Sequence, residues 1–254
     1  MSKAAEHYQQ IYRQDLELEA EWLRFGARAK AHSVDLLTRK LRRPLISLCE
    51  LGCGTGAVLE NCIKLGLASK WTAVDNSPEA LQYVSDRLGS LVQTECSDIG
   101  SPSCAAKAQV GVLSHVLEHL DDPSHILLAM HGRCDNLIAE VPLENQPIPR
   151  LMATIRWKLR GIRRESNKAG HIQFFSKNSF RKLLANAGWR IVDQHIYLPQ
   201  QKDALLFRAK RNQIPVWRAL LPYYIYRLVG RAALSVANVH YAVLAVPNNE
   251  PTPR

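Results

Sequence analysis

Hydrophobic and polar positions follow two different rhythms along the chain. From residue 5 to residue 42, apolar residues recur every three or four positions, which is the spacing of one face of an α-helix. From residue 45 onward, short apolar runs alternate with amphipathic stretches. The apolar runs predict strands at 45–51, 71–76, 91–98, 110–115 and 136–142. The stretches between them predict helices at 57–66, 78–88 and 122–132. This alternation indicates parallel strands joined by helical crossovers, and therefore an α/β fold with a doubly wound, Rossmann-like sheet.

The alternation stops after residue 142. Residues 146–170 are rich in Pro, Arg and Lys and predict an insertion of loop and helix. Further elements are predicted as a helix at 176–188, a strand at 189–198, a helix at 214–235 and a last strand at 240–247. The expected architecture is therefore a seven-stranded sheet with N-terminal helices and with helical insertions after strands 5 and 6.

Composition narrows the protein class. The 254 residues are 46% hydrophobic and 22% charged, which is typical of a globular chain and excludes general disorder. The net charge of +10 is compatible with a nucleic acid, an anionic lipid or an acidic small molecule. Many of the basic residues fall within 150–182, where a solvated helix face is the simpler explanation. Six cysteines without CxxC spacing favour a reduced, cytoplasmic protein, and no apolar run is long enough for a membrane span.

A glycine-rich loop carries the clearest chemical signal. Residues 50–56 read E-L-G-C-G-T-G between a predicted strand and a predicted helix. Glycines there allow a tight turn and let a ligand approach the backbone, next to the free N–H groups of a helix N-terminus. Asp75 lies nineteen residues beyond Gly56, at the end of the next predicted strand, where an acid can bind ribose hydroxyls. The pattern predicts a nucleoside-type ligand, and the alternative is a structural turn with Asp75 as a helix cap.

The spacing by itself leaves the type of nucleoside open. The loop also fits G-x-G-x-x-A through Gly52, Gly54 and Ala57, so NAD is compatible with it. The loop contains no lysine, which disfavours a nucleotide-triphosphate loop.

Several segments together resemble one enzyme family. The E-L-G-C-G-T-G loop is similar to motif I of class I S-adenosylmethionine-dependent methyltransferases. The segment V-L-S-H-V-L-E-H-L-D-D-P at 112–123 resembles small-molecule members of that family, including those of ubiquinone biosynthesis. The segments G-H-I-Q-F-F-S at 170–176 and F-x-x-L-L-x-x-A-G-W at 180–189 resemble the same group.

This resemblance implies a role for each matching position. Glu50 and the loop backbone would hold the methionine half of the cofactor, and Asp75 would bind its ribose. Asp98 and Ile99 would flank the adenine, and Ser114 with His115 would line the floor near the sulfonium. The predicted cofactor-binding residues are Glu50, Gly52, Cys53, Gly54, Gly56, Asp75, Asn76, Asp98, Ile99, Ser114 and His115. The chain is expected to form a single domain, with an N-terminal helical segment at 1–43 and a cofactor-binding core at 44–142. The insertions at 143–170 and 199–236 would then cover the acceptor.

Two histidines are candidates for a catalytic base. By the same resemblance, His119 and His171 face the acceptor, and Glu118 would orient His119 or bind substrate. Purely structural roles for both histidines remain open. His115, Glu118 and His119 also match H-x-x-E-H, a zinc-peptidase signature that requires a helix. Because this segment reads as a strand running into a loop, we predict no metal site.

The resulting prediction is methyl transfer from S-adenosylmethionine to a small molecule, with an oxygen acceptor favoured over nitrogen or carbon. An RNA methyltransferase, an NAD-dependent oxidoreductase and a catalytically silent cofactor-binding protein remain as alternatives. The acceptor is interpreted as acidic or lipid-linked, whereas nucleic acid is disfavoured because no RNA-binding module is evident. Aromatic and arginine residues in 214–235 indicate contact with a membrane surface, and a lid or a dimer contact explains them equally well. The sequence does not indicate an oligomeric state.

Overall fold

The sheet contains all seven expected strands. The computed structural model describes residues 3–41, 45–145, 170–198, 202–211, 213–229 and 239–248, together with five positions between 151 and 159. The strands are β1 (Leu45–Leu51), β2 (Ala68–Asp75), β3 (Val92–Cys96), β4 (Ala108–Ser114), β5 (Cys134–Leu143), β6 (Trp189–Tyr197) and β7 (Val239–Pro247). The helices are α1 (Lys3–Thr38), α2 (Ala57–Lys64), α3 (Pro78–Leu88), α4 (Pro123–Ala129), α5 (Lys177–Asn186), α6 (Lys202–Arg211) and α7 (Val216–Val229). Two short 3-10 turns occupy Gly89–Leu91 and Leu117–His119.

The strand order places a ligand-binding edge at a predictable position. The order is β3-β2-β1-β4-β5-β7-β6, with β1 to β5 parallel and β7 antiparallel to both of its neighbours. The strand order reverses between β1 and β4, and ligands of such sheets bind beyond the carboxyl ends of the strands at this point. The predicted seven-stranded Rossmann-like fold is confirmed. The parallel direction predicted for the five strands up to residue 142 is confirmed, and β7, for which no direction was predicted, runs in the opposite direction.

Two hydrophobic cores cover the two faces of the sheet. On one face, α4 and α5 pack against the strands through fully buried side chains such as Leu127, Phe180 and Trp189. The indole Nε1 of Trp189 donates a hydrogen bond to the carbonyl oxygen of Leu127 at 2.9 Å. On the other face, α1, α2 and α3 pack through residues such as Leu37 and Leu59. Both faces are thus buried, as the continuous apolar strands require.

Helix α1 packs tightly because its buried positions are mostly small. Its inner stripe includes Ala20, Ala27, Ala31 and Val34, which are almost completely buried and let the helix approach α2 closely. Non-helical backbone angles at Asp15 kink it near its N-terminal third. On the N-terminal side of this kink, Tyr12 is buried against the glycine loop. A Cβ atom placed on Gly54 would lie 2.6 Å from the Tyr12 hydroxyl oxygen. Helix α1 therefore covers the loop from outside.

The insertion after β6 forms two helices. The prediction at 214–235 matches α7 as far as Val229, and α6 was not predicted as a separate helix. Phe207 of α6 packs on Trp22 and Phe25 of α1, with ring centroids 6.1 and 5.0 Å apart. Most of the insertion at 143–170, with Arg156, Arg160, Arg163 and Arg164, lies outside the described residues. Within the described residues, no helix is both long and apolar enough to cross a membrane.

Candidate active site

The glycine loop makes its turn directly after β1. Gly52, Gly54 and Gly56 have φ angles of 69°, 52° and 69°, a region that residues with a Cβ rarely adopt. The loop is tied back to β2 because the backbone N–H groups of Gly52 and Cys53 donate to the carbonyl oxygen of Val74 at 2.8 and 3.0 Å. A Cβ on Gly52 would lie 2.7 Å from a methyl group of Val116. The sequence-predicted loop therefore has the conformation that a close ligand approach needs.

The Asp75 carboxylate braces this loop. Its Oδ2 accepts a hydrogen bond from Gly54 N at 2.8 Å, and its Oδ1 accepts one from Ser77 N at 3.0 Å. Burial raises the pKa of Asp75, and the backbone donors partly oppose that rise. The cap of α3 is Ser77, whose hydroxyl accepts from Ala80 N, so the alternative in which Asp75 caps the helix by itself is not what the structure shows. Asn76 N–H is a third backbone donor to this carboxylate, which has about four acceptor positions, so capacity for a ribose hydroxyl remains.

Glu50 is a buried acid at the end of β1. Its Oε2 accepts a hydrogen bond from Leu59 N in α2 at 2.9 Å, and the residue is 3% exposed. Burial raises the pKa of Glu50 to about 8, against the opposing effect of that hydrogen bond. A cationic group bound beside Glu50 would favour its ionised form. The position therefore suits the ammonium or sulfonium group of a ligand.

The remaining predicted cofactor residues lie along the same edge of the sheet. Asp98 is exposed just beyond β3, and its Oδ1 accepts from Gly100 N at 2.8 Å, while Ile99 beside it is buried. Asn76 follows Asp75 and is half-buried. At the end of β4, the Ser114 hydroxyl oxygen is buried with no hydrogen-bond partner in the part of the chain that the structure describes. The carboxyl ends of β1 to β4 therefore bring the predicted residues to one rim.

His115 lies in a buried polar cluster that extends away from the loop. Its Nδ1 is 2.9 Å from Glu118 Oε1, and its Nε2 is 3.2 Å from Glu140 Oε1 and 3.0 Å from His240 Nδ1. The Tyr197 hydroxyl donates to Glu140 Oε2 at 2.9 Å. The ring of His115 thus faces β5 and β7, and its predicted contact with the cofactor stays a prediction.

Charge compensation explains how this cluster tolerates burial. Burial disfavours the charged form of His115, but Glu118 and Glu140 outweigh it and raise the histidine pKa. Burial also opposes ionisation of Glu118, yet the charge of His115 brings the pKa of Glu118 down to about 2. Burial and the neighbouring charge of His115 lower the pKa of His240 to about 3. The two carboxylates therefore favour the charged form of His115, whereas His240 is neutral.

A second histidine group lies beside the first. His171 Nδ1 is 2.7 Å from Glu144 Oε2, and His119 Nδ1 is 3.2 Å from the carbonyl oxygen of Gly170. The two imidazole rings meet edge to face with centroids 4.8 Å apart. Glu118 is 4.0 Å from His119 and 2.9 Å from His115, so it pairs mainly with His115. The structure therefore brings the predicted candidates His119, His171 and Glu118 together, with Glu144 as the close partner of His171.

Four residues of these clusters were not predicted from the sequence: Glu140, Glu144, Tyr197 and His240. One of them carries a signal in the sequence, since Glu140 interrupts an otherwise apolar strand and a buried acid requires a compensating partner. The other members of the cluster are far apart along the chain. His240, for example, is 125 positions away from His115, and only the sheet topology brings the two side chains together.

Comparison with known proteins identifies the family. A family model described as a methyltransferase domain matches residues 12–194, more than half of the chain. The chain belongs to this family. The predicted enzyme class, a methyltransferase with S-adenosylmethionine as the methyl donor, is thereby confirmed, whereas the ubiquinone-type subgroup is not specifically indicated. Among curated proteins, none matches the sequence significantly.

Solved structures share the fold at low sequence identity. The N-methyltransferase NodS from Bradyrhizobium japonicum, in complex with S-adenosylhomocysteine, is 14% identical over 95% of this chain and 98% of its own, with a TM-score of 0.59. The 1,6-didemethyltoxoflavin N1-methyltransferase from Burkholderia thailandensis is 16% identical over 96% and 89%, with a TM-score of 0.60. The cyclopropane synthase MmaA2 from Mycobacterium tuberculosis is 15% identical over 84% and 82%, with a TM-score of 0.58.

The raised pKa of Glu50 predicts a pH-dependent effect on stability. The pKa of about 8 in the folded state exceeds the ordinary glutamate value of 4.5, so the folded state retains the proton that the unfolded state releases. The resulting stability is fully present below about pH 4.5 and is lost as pH rises through about 8. We expect ligand-free Glu50→Gln to have the Tm of the parent near pH 5 and a Tm at least about 3 °C higher near pH 8.5.

Thermal unfolding monitored by circular dichroism at both pH values measures this effect. Glu21→Gln, which changes an exposed glutamate of α1, is the matched control and should follow the parent at both pH values. If the Tm difference between Glu50→Gln and the parent is the same at the two pH values, the raised pKa of Glu50 is contradicted.

Proposed function

We propose that this methyltransferase transfers the methyl group of S-adenosylmethionine to a hydroxyl group of a small-molecule acceptor. The observation that carries the proposal is the glycine loop held by Asp75 at the point where the strand order reverses. The His171–Glu144 pair on the adjoining rim adds a candidate base for a hydroxyl acceptor.

The residues at this rim suit the cofactor. The bound cofactor supplies a methyl group on a positively charged sulfur, which is already an activated leaving group. Gly52 has no room for a Cβ beside Val116, and this close approach joins the loop to the segment after β4. The buried Ser114 hydroxyl at the end of β4 has no hydrogen-bond partner among the described residues and offers a polar contact. Asp75 and Asp98 provide acceptors for the ribose hydroxyls and the adenine amino group. Glu50 provides a carboxyl whose ionised form a nearby cation stabilises.

His171 is the better placed of the two candidate bases. Because its Nδ1 lies 2.7 Å from a carboxylate oxygen of Glu144, that nitrogen carries the hydrogen and the lone pair is on Nε2. A carboxylate that orients an imidazole and stabilises its protonated form is the usual support of a histidine base. His119 likewise needs its hydrogen on Nδ1 to contact Gly170, and burial lowers its pKa, so it is neutral at neutral pH. We assign proton removal to His171 and place His119 against it in the acceptor site.

Two kinds of observation bear on the identity of the methyl acceptor, namely sequence resemblance and structural neighbours. The segments 112–123 and 170–176 resemble methyltransferases of ubiquinone biosynthesis, which favours an oxygen acceptor on a lipid-linked or acidic molecule. Two structural neighbours are named for N-methylation and one for cyclopropane synthesis, so the fold alone does not select the acceptor atom. The NAD-dependent alternative is disfavoured by family membership. The RNA alternative rests only on the net charge of +10.

Cofactor binding should depend on Asp75 and Asp98. We expect Asp75→Asn to weaken S-adenosylhomocysteine by about 10- to 100-fold, since one carboxylate oxygen is replaced by a donor that faces backbone N–H groups. Asp98→Ala, at an exposed position, should weaken binding without lowering Tm. Isothermal titration calorimetry measures both affinities, and Asp86→Asn on the exposed face of α3 is the matched control. Parent-like affinity in both variants, or no binding by the parent, would refute the proposed site.

Methyl transfer should depend on His171 and Glu144. With labelled methyl donor and a fractionated extract as the acceptor pool, we expect His171→Gln to lower the turnover of the labelled product about 100- to 10,000-fold. Glu144→Gln should lower it less, because the imidazole of His171 remains while its orienting carboxylate is lost. S-adenosylhomocysteine affinity should stay within about twofold in both variants, because neither residue lies on the cofactor rim. His195→Gln, at a histidine on β6 that contacts Ser33, is the control.

Two results would contradict this assignment. Parent-like turnover by His171→Gln would remove His171 as the base. If the labelled product carries the methyl group on nitrogen or carbon, the proposal of a hydroxyl acceptor fails while methyl transfer stands.

An exposed apolar stripe on α7 supports a second part of the proposal, contact with an anionic membrane surface. Trp217, Leu221, Tyr224 and Leu228 are spaced by three and four residues, so they share one helix face, and they are 49 to 85% exposed. Arg218 and Arg227 are exposed on the same helix, and the chain carries a net charge of +10. Apolar and aromatic side chains beside basic residues match the boundary between acyl chains and anionic headgroups.

Vesicle flotation tests the α7 stripe. We expect the protein to float with phosphatidylserine-containing vesicles and the double variant Leu221→Ser/Leu228→Ser to stay in solution. Leu128→Ser, at an exposed leucine of α4, should float like the parent. Parent protein that remains in solution would end the membrane proposal. Concentration-dependent dimerisation, lost in the double variant, would assign the stripe to a second copy of the chain instead.

A further inference from the structure

We infer that His115, Glu140 and His240 form a binding site for a divalent first-row transition-metal ion such as Zn²⁺. Three candidate ligand atoms converge there: His115 Nε2, Glu140 Oε1 and His240 Nδ1. The inference concerns binding only and does not depend on the proposed methyl transfer.

The spacing of the three atoms fits a metal. The His115 nitrogen is 3.0 Å from the His240 nitrogen and 3.2 Å from the Glu140 oxygen, and the last two atoms are 3.4 Å apart. Ligands at about 2.0–2.1 Å from a tetrahedral zinc ion are separated by roughly 3.3 Å. The triangle therefore already has nearly the dimensions of one face of a tetrahedral site, and an ion requires little movement to bind.

The ligands come from rigid, paired strands. His115 directly follows β4, Glu140 lies within β5 opposite Ser114, and His240 lies in β7 opposite Pro142. The backbone N–H of His115 donates to the Glu140 carbonyl oxygen at 3.0 Å, which fixes two of the ligands relative to each other. His115 has a φ of 60°, a left-handed conformation that costs energy in a residue with a Cβ and that tends to occur at functional sites. The sheet thus holds the triangle in place before any ligand arrives.

The surrounding contacts are those of a metal centre. A histidine that binds a metal through one nitrogen usually donates its other N–H to a carboxylate, which fixes the ring. Glu118 lies beside that nitrogen as an ion-pair partner, with its Oε1 2.9 Å from His115 Nδ1. The second oxygen of Glu140 is held by the Tyr197 hydroxyl at 2.9 Å. Both a ligand histidine and the ligand carboxylate are therefore oriented from behind.

Two buried carboxylates favour a cation at this place. Glu118 and Glu140 are both almost fully buried, and Glu140 Oε1 accepts no well-oriented hydrogen bond from the described residues. Carboxylate charge inside a protein is costly without compensation. A divalent ion bound by two neutral imidazoles neutralises both carboxylates. The side chains of His115 and His240 are 17% and 13% exposed, which gives an ion access from solvent.

The type of donor defines the class of ion. Two imidazole nitrogens with one carboxylate oxygen suit zinc, cobalt or iron, whereas magnesium and calcium prefer oxygen ligands. Glu118, His119 and His171 form a second group of suitable atoms. We favour the first group because the shortest contacts of His119 and His171 are to Gly170 and Glu144, and Glu118 serves His115.

Metal titration of the full-length protein tests the inference. After removal of metals with a chelator, we expect one Zn²⁺ per chain in competition with a chromophoric chelator, and a visible absorption band when Co²⁺ is used instead. His240→Gln and Glu140→Gln should each lower the affinity for Zn²⁺ by more than about 100-fold. Glu118→Gln should lower it by about 10- to 100-fold, because His115 loses its neighbouring carboxylate. His125→Gln, at an exposed histidine of α4, should bind like the parent.

Fold integrity and cofactor binding are measured on the same samples. Thermal unfolding and S-adenosylhomocysteine affinity identify a variant that merely misfolds. Tyr197→Phe removes only the hydroxyl that contacts Glu140, and we expect it to cause an intermediate loss of Zn²⁺ affinity. The inference is overturned if the parent binds no stoichiometric Zn²⁺. It is also overturned if binding survives in His240→Gln and disappears in His171→Gln, which would place the ion in the second group. If the parent binds Zn²⁺ but not S-adenosylhomocysteine, the result counts against the proposed function and leaves this inference intact.

Discussion

The site depends first on a single carboxylate that bridges two backbone segments. Asp75 receives one N–H group from the glycine loop after β1 and one from the turn after β2, and so it fixes the distance between two neighbouring strand ends. Three glycines of the loop have left-handed φ angles. Glycine loses more conformational entropy on folding than other residues, so interactions in the folded state must compensate for that loss. A charged acceptor for a loop N–H supplies part of that compensation, since hydrogen bonds to charged groups are stronger than neutral ones. The same carboxylate that shapes the loop is therefore available, at its remaining lone pairs, to a ligand in it.

The other half of the rim follows a different principle. Beyond β4, the chain places carboxylates and imidazoles together in a region with little solvent, where each group sets the protonation of its neighbours. Such clusters are expensive to bury, and they persist where they bind or react. The rim thus combines a loop that recognises shape through the backbone with a cluster that holds charge through side chains. The two parts meet where Val116, the residue after His115, contacts Gly52.

The sequence predicted the local parts of this arrangement and missed the distant ones. The glycine loop and Asp75 are readable because each lies within a few residues of a strand end, where spacing along the chain determines spacing in the fold. The Asp75 contact to Gly54 spans only 21 residues across adjacent parallel strands. The partners of His115 were not readable in this way, since they depend on which strands pair. The H-x-x-E-H pattern predicts a zinc site only where the segment is helical, and this segment reads as a strand running into a loop. The distant partners of His115 come from β5 and β7.

The reversed direction of β7 has a consequence for when the protein can acquire its charged cluster. Because β7 runs against its neighbours, its first residues rather than its last ones reach the rim where the parallel strands end. His240 is the second residue of that strand, and more than nine-tenths of the chain precedes it. During synthesis, Glu140 and Glu118 therefore emerge from the ribosome long before this partner does. A nascent chain in which β1 to β5 have already paired keeps an open sheet edge beside Glu140, and closing it requires pairing with a strand far along the chain.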